Sequence, residues 1–465
     1  MKAYTSHICS LLILCAGSIL SAKPKSPNVI LVVADDLGYG GLHCYGNEWL
    51  ETPNIDTLSS QGMRFTNGHS AGATCQPSRI ALLSGQYSPR TGGYRVKDHH
   101  RGQENLIRYQ VPELTGMSLE KVTIAEAFKA GGYRTAMYGK WHADNYQKHL
   151  HPRYQGFDEA YECNSHYDAK KSDPKVDLPK GMDFAEYFTG KAIDFMQASV
   201  EQEQPFFLYM PYYLVHAPFE TRADYIEHFQ QKLADHEFTG KKSEIVPIVA
   251  AMTKHLDDCV GRLMESVSAL GIDDNTLIVF TSDNGSYHEA FVGDYRGTKG
   301  DIYEGGIRVP YIFKWSGRIE AGSQSEALIT HVDLYPTFLD MVGVARPEDT
   351  VLDGINLESV LLGEVDALTE RSVYYYYPKY AQFNKNKKQW QQSWRNVVIN
   401  GGYKLVEFVE YDTYELYNLK ADPNESKDLS KTQPEKAEQL RKELDGWKGQ
   451  VGAQPLVLNP NYTLE

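Results

Sequence analysis

Hydrophobic residues are not spread evenly along this chain; they gather in short dense runs separated by amphipathic stretches. Asn28–Ala34 (NVILVVA) is a near-continuous apolar run of strand length, the pattern of a strand buried on both faces of a parallel sheet. Similar runs recur at 133–138, 206–212 and 276–281. Between them, apolar positions at helical spacing predict helices over 122–130, 184–200 and 246–270. Strands that alternate with helices predict an α/β fold with a large, mainly parallel sheet flanked by helices. Ligands in such sheets sit beyond the carboxyl ends of the strands. Here those ends carry Asp35 and Asp36, Lys140 and His142, His216, and Asp283 and Asn284.

The pattern changes near residue 365. Beyond it lie short aromatic and β-branched segments at 372–377, 396–399 and 403–409, then a polar helical stretch at 433–448. This predicts a smaller C-terminal subdomain over 366–465, an antiparallel sheet plus a covering helix, docked on a larger α/β domain over 23–365. The first 22 residues read as a signal peptide, with Lys2, an apolar run over 8–20, and Ser21 and Ala22 as a small-residue cleavage site. No later run reaches the roughly 20 apolar residues of a membrane span, so a secreted or periplasmic location is expected.

Composition narrows the classes. Of 465 residues, 42% are hydrophobic and 23% charged, which excludes a disordered chain. The net charge of −14 disfavours a nucleic-acid partner, so any anion site must be built from local charges. Cys44, Cys75, Cys163 and Cys259 follow the signal at wide spacing, neither a disulfide framework nor a C-x-x-C metal pattern, although an oxidising compartment allows one pair to bridge.

Adjacent carboxylates such as Asp35 and Asp36 repel each other unless a cation lies between them. Asp283 and Asn284 repeat the arrangement after a second strand. The four side chains offer an all-oxygen set suited to Ca²⁺ or Mg²⁺ rather than zinc, while either pair alone also reads as a turn or helix cap. Cys75-Gln76-Pro77-Ser78-Arg79 opens a helix, with Pro77 in its first turn. The helix start favours an anion, and Arg79 adds a planar charge that binds an oxyanion bidentately. On these grounds Cys75 is a nucleophile beside an anion site, or a small apolar residue at a helix start.

The C-x-P-S-R motif followed by Leu82-Leu83-Ser84-Gly85 resembles the signature of the sulfatase family. Gly139-Lys140-Trp141-His142 resembles a second block of that family, and residues 296–300 with 303–310 a third. The segment 414–419 with Asp422 and Pro423 is also similar to the family, while Gln76, Ser84 and Tyr138 depart from its usual residues. The resemblance implies an alkaline-phosphatase-like fold. It also implies that a formylglycine-generating or sulfatase-maturating enzyme oxidises Cys75 to formylglycine, whose hydrate is the nucleophile. One Ca²⁺ per chain would be held by Asp35, Asp36, Asp283 and Asn284, with the modified Cys75 completing the set. Arg79 and Lys140 would hold the hydrate and the sulfate, and His142 would be the base. His216 and Lys299 would contact the sulfate and the leaving oxygen.

Two segments are locally basic. Residues 86–108 carry Arg95, His99 and His100, and 371–406 contains no acidic residue but carries Lys387, Trp390, Trp394 and Arg395. Aromatic faces stack on sugar rings and basic side chains pair with sulfate groups, so these residues are expected to form subsites for a sulfated saccharide. The expected activity is therefore desulfation of a sulfated oligo- or polysaccharide. Its rivals are a phosphonate or phosphate ester hydrolase of the same fold and a non-catalytic glycan-binding relative.

Overall fold

The computed structural model describes residues 26–463 apart from 98, 99, 101, 145, 146, 241 and 366. The signal peptide and His99 lie outside the described residues. Four strands, β1 (Asn28–Ala34), β2 (Arg134–Gly139), β3 (Phe206–Pro211) and β4 (Thr276–Ser282), form the parallel centre of a nine-stranded sheet in the order β4-β1-β3-β2. Glu159–Cys163 extends the sheet in parallel beyond β2, and Tyr311–Lys314 runs antiparallel beside β4.

All seven residues of β1 are buried because helices cover both faces of the sheet. Val29, Leu31 and Val33 point toward Ile80 and Leu83 of helix α1 (Cys75–Ser84). Ile30, Val32 and Ala34 point the other way, toward Phe188 of α2 (Phe184–Glu201) and Leu256 of α3 (Val246–Ala269). The helix before β2 starts at Ile124, two residues later than its apolar pattern. Thr123 there acts as N-cap and exchanges bonds with Glu126 in a capping box.

The C-terminal subdomain is an antiparallel sheet made from β5 (Ser372–Tyr377), β8 (Arg395–Asn400), β9 (Tyr403–Phe408) and β10 (Thr413–Asn418). The hairpin β6 (Ala381–Asn384) and β7 (Gln389–Gln392) projects beside it. Helix α4 (Pro434–Gln450) covers one face through Leu440, Leu444 and Trp447. The other face packs Val373, Tyr375 and Tyr377 against Ala73 and Ile302 of the α/β unit, so this subdomain reaches the segment that leads into Cys75. The four described cysteines are free thiols. Among the described residues no helix is long and apolar enough to cross a membrane.

Candidate active site

The register of the sheet assembles the site. Ala34 pairs with Ser282 across β1 and β4, so Asp35 and Asp36 leave one strand beside Asp283 and Asn284 from its neighbour. The N–H of Lys140 donates to Pro211 O (2.7 Å) just past β2 and β3, and the N–H of Asp35 to Leu214 O (2.8 Å). Helix α1 brings Cys75 and Arg79 over the same edge.

Asp36 adopts a left-handed backbone (φ 63°), which Asp tolerates better than most residues. Its N–H donates to Asp283 Oδ1 (3.1 Å), and Asn284 Nδ2 donates to Asp36 Oδ1 (2.8 Å). Cys75 Sγ lies 3.4 Å from Asp35 Oδ1 and 3.6 Å from Asp36 Oδ1. Asp35, Asp36, Cys75 and Asp283 each offer a ligand atom, and these atoms lie within 4.8 Å of one another. Three cations face them. Arg79 Nη2 approaches Asp283 Oδ2 at 2.7 Å, Lys140 Nζ approaches Asp35 Oδ2 at 2.5 Å, and Lys299 Nζ approaches Asp36 Oδ2 at 2.7 Å. Arg79 Nη1 also donates to Lys140 O (2.7 Å), which fixes the plane of its guanidinium.

Burial sets the electrostatics, and neighbouring charges decide which groups yield. Burial, then Asp35, pushes the Asp283 carboxyl up to about 6, despite the opposing Arg79. Burial acts on Asp36 in the same sense, but Lys299, His216 and Lys140 overcome it and hold that carboxyl well below the usual range. The amide oxygen of Asn284 is buried and has no hydrogen-bond partner among the described residues. Three carboxylates with ligand atoms this close, and an orphaned amide oxygen beside them, fit a hard divalent cation held by oxygen. Burial and then Asp35 push the unmodified Cys75 thiol well above its ordinary value, so as a thiol it stays protonated. His142 and His216 are both held neutral. Burial and then Lys140 drive His142 well below its usual value and His216 to about 4.

All the residues expected at the catalytic and metal positions therefore meet at one edge of the sheet. The expected saccharide residues do not form one surface. Trp390 (6% exposed) and Trp394 (1%) are buried in one hydrophobic cluster of the C-terminal subdomain. Trp390 packs edge-on against Tyr380 and Phe383, and Trp394 against Tyr376. Neither can offer a ring face to a sugar, because the subdomain needs both to fill its interior. Arg395 is buried as well, 3.5 Å from Asp301 Oδ1, and Arg95 is buried and donates to Pro112 O (3.1 Å). His100 is half-buried and Lys387 is exposed.

Two residues of the site escape sequence reasoning. His166 is buried and its Nε2 lies 2.8 Å from the backbone oxygen of His216, and the ring of Tyr213 lies 5.2 Å from Lys140 Nζ. Neither belongs to a motif, and only the fold brings them to the edge.

Comparisons with known proteins identify the family. The family model described as Sulfatase matches residues 27–344, and that described as N-sulphoglucosamine sulphohydrolase, C-terminal, matches 297–450. The N-acetylgalactosamine-6-sulfatase of Canis lupus familiaris is 31% identical over 396 residues, covering 79% of this chain and 72% of its own. The N-acetylgalactosamine-6-O-sulfatase of Bacteroides thetaiotaomicron is 27% identical over 524 residues, covering 91% and 93%. The crystal structure of Ps i-CgsB in complex with k-i-k-neocarrahexaose superposes with a TM-score of 0.76 at 26% identity, covering 91% of this chain and 92% of that one. With the first family model spanning most of the sequence and the fold shared across nearly its full length, the chain belongs to the sulfatase family and is a sulfuric ester hydrolase.

Proposed function

We propose that the protein removes sulfate from a sulfated oligo- or polysaccharide, using one Ca²⁺ and a formylglycine made from Cys75. The observation that carries the reading is the meeting of Cys75 Sγ with three carboxylates and three cations at one sheet edge. A sulfate ester is an anion, and its attack requires that charge be neutralised where it develops. Asp35, Asp36, Asp283 and Asn284 would hold the ion, whose chemistry is to neutralise ester oxygens, while the aldehyde hydrate at position 75 supplies the attacking hydroxyl.

The other residues bind, orient and move protons. Arg79, anchored by Asp283 and the Lys140 carbonyl, presents a fixed guanidinium to the anion. Lys140 and Lys299 add charge beside Cys75. His142, neutral and half-buried, is a proton acceptor, and His216 and Lys299 face the leaving oxygen. A carbohydrate substrate is supported by the names of the dog and Bacteroides relatives and by the oligosaccharide in the Ps i-CgsB complex. We further assign residues 1–22 to a signal for secretion or the periplasm, 23–365 to catalysis, and 366–465 to a substrate platform that includes Lys387. A formylglycine-generating or sulfatase-maturating enzyme is the required partner.

The test is the mass of the Cys75 peptide from native material. Exchange of H₂S for oxygen lowers it by about 18 Da, and unmodified cysteine in active protein overturns the proposal. Rates on an aryl sulfate and its phosphate analogue separate a sulfatase from a phosphate or phosphonate hydrolase, with faster turnover of the sulfate expected.

A further inference from the structure

Lys299 turns its ammonium onto Asp36 Oδ2, and the next residue has no side chain. Gly300 has φ +91° and donates its N–H to Ala73 O (2.8 Å), two residues before Cys75. A Cβ placed there would lie 3.5 Å from Lys379 Nζ and 3.5 Å from Gln392 Nε2. Two donors from the C-terminal subdomain therefore converge over Gly300, next in the chain to Lys299 of the catalytic edge. Gln392 uses one N–H on Gly300 O (3.3 Å), and a carboxamide carries two.

Lys379 differs from the other cations nearby in its partners. Arg79, Lys140 and Lys299 each face a carboxylate, and Arg395 approaches Asp301. Among the described residues no carboxylate lies within ion-pair distance of Lys379, whose Nζ sits 5.8 Å from the Tyr377 ring. No acidic residue occurs anywhere in 371–406, although the whole chain carries a net charge of −14. The side chain is half-buried.

We infer that Lys379 and Gln392 form a second anion subsite beside the sulfate position, which takes another negatively charged oxygen group, sulfate or carboxylate, of the same saccharide. The inference rests on the sulfated-saccharide reading above. It assigns selectivity for multiply charged sugars to two residues outside the catalytic set.

The experiment is competitive inhibition of aryl sulfate hydrolysis at constant ionic strength. The probes are N-acetylgalactosamine 6-sulfate, its 4,6-disulfate, and a uronate-containing disaccharide with the same 6-sulfate. One charge-assisted contact predicts that at least one dianionic sugar inhibits at roughly tenfold lower concentration than the monosulfate. The better dianion identifies the second group as sulfate or carboxylate. Lys379→Met is expected to erase the gap and Lys379→Arg to keep most of it. Equal inhibition by all three sugars, or a gap that survives Lys379→Met, overturns the subsite. Failure of formylglycine-bearing protein to hydrolyse the aryl sulfate instead overturns the sulfatase reading, so the two failures are distinct.

Discussion

Two buried ionic clusters in this molecule look alike in composition and differ in purpose. One lies at the catalytic edge and pairs Asp35, Asp36 and Asp283 with Lys140, Lys299 and Arg79. The other lies where the C-terminal sheet meets the α/β unit. There Glu304 approaches His69 (2.9 Å), Arg308 (2.9 Å) and Lys404 (3.1 Å), and Lys404 approaches Glu425 (2.7 Å). The N–H of Glu304 also donates to Glu425 Oε2 (2.6 Å), while His69 Nδ1 has no hydrogen-bond partner among the described residues. Burial and Glu304 push Glu425 up to about 7, and His69 and Lys404 outweigh burial to hold Glu304 well below the usual carboxylate range. At the catalytic edge the carboxylates face one another, and Asn284 Oδ1 has no donor. The junction ties the C-terminal sheet to the α/β unit through Lys404, whereas the catalytic edge gathers four ligand atoms within 4.8 Å of one another. Glu304 lies in a stretch that resembles a family motif, yet its contacts are those of a strut.

This contrast predicts opposite responses to substitution. The largest effect is expected at the catalytic edge. Cys75→Ala, made in a host that converts only cysteine, should lower turnover by on the order of 10⁴-fold or more, because the attacking group is lost. Its unfolding free energy should move by no more than about 1 kcal/mol, as Sγ makes only long contacts with two carboxylates. Near-normal turnover of an aryl sulfate would remove Cys75 from the chemistry.

At the junction the balance should reverse. Lys404→Met leaves Glu304 and Glu425 buried with less compensation and is expected to destabilise the fold by about 3–5 kcal/mol in denaturant titration. Turnover per folded molecule should be retained. Lost activity without lost stability would mean that the junction is not merely a strut.

Lys299→Met tests the boundary between the two cases. Turnover should fall roughly 10²–10³-fold, the loss typical of one charge-stabilising group. With calcium present the fold should lose little, because the ion would compensate Asp36. After chelation the loss should approach the roughly 3–5 kcal/mol of a broken buried ion pair. A stability loss independent of calcium would count against a cation at this cluster.

Much of the catalytic edge was legible because buried parallel strands are written as unbroken apolar runs. The residue at which each run stops is where the chain meets solvent and ligand. Asp35 and Asp283 could be picked out for that reason, and Cys75 with Arg79 through the helix start they share. The C-terminal subdomain was legible as a class of structure but not as a surface. Trp390, Trp394 and Arg395 have the composition of a sugar platform, yet the same aromatics serve equally well as filling of a hydrophobic core. Residue type does not distinguish the two roles.

By itself the sequence determined the α/β order, the carboxyl-end placement of the polar residues and the position of Cys75 at a helix start, because periodicity and local backbone preference act over a few residues. Tertiary structure alone decided that Ala34 registers with Ser282, that His166 lies behind His216, and that Lys379 and Gln392 stand over Gly300. Those pairings join residues 50 to 248 positions apart, or separate subdomains. They follow from strand register and sheet-to-sheet packing, which depend on how whole faces fit together and leave no local trace in the chain.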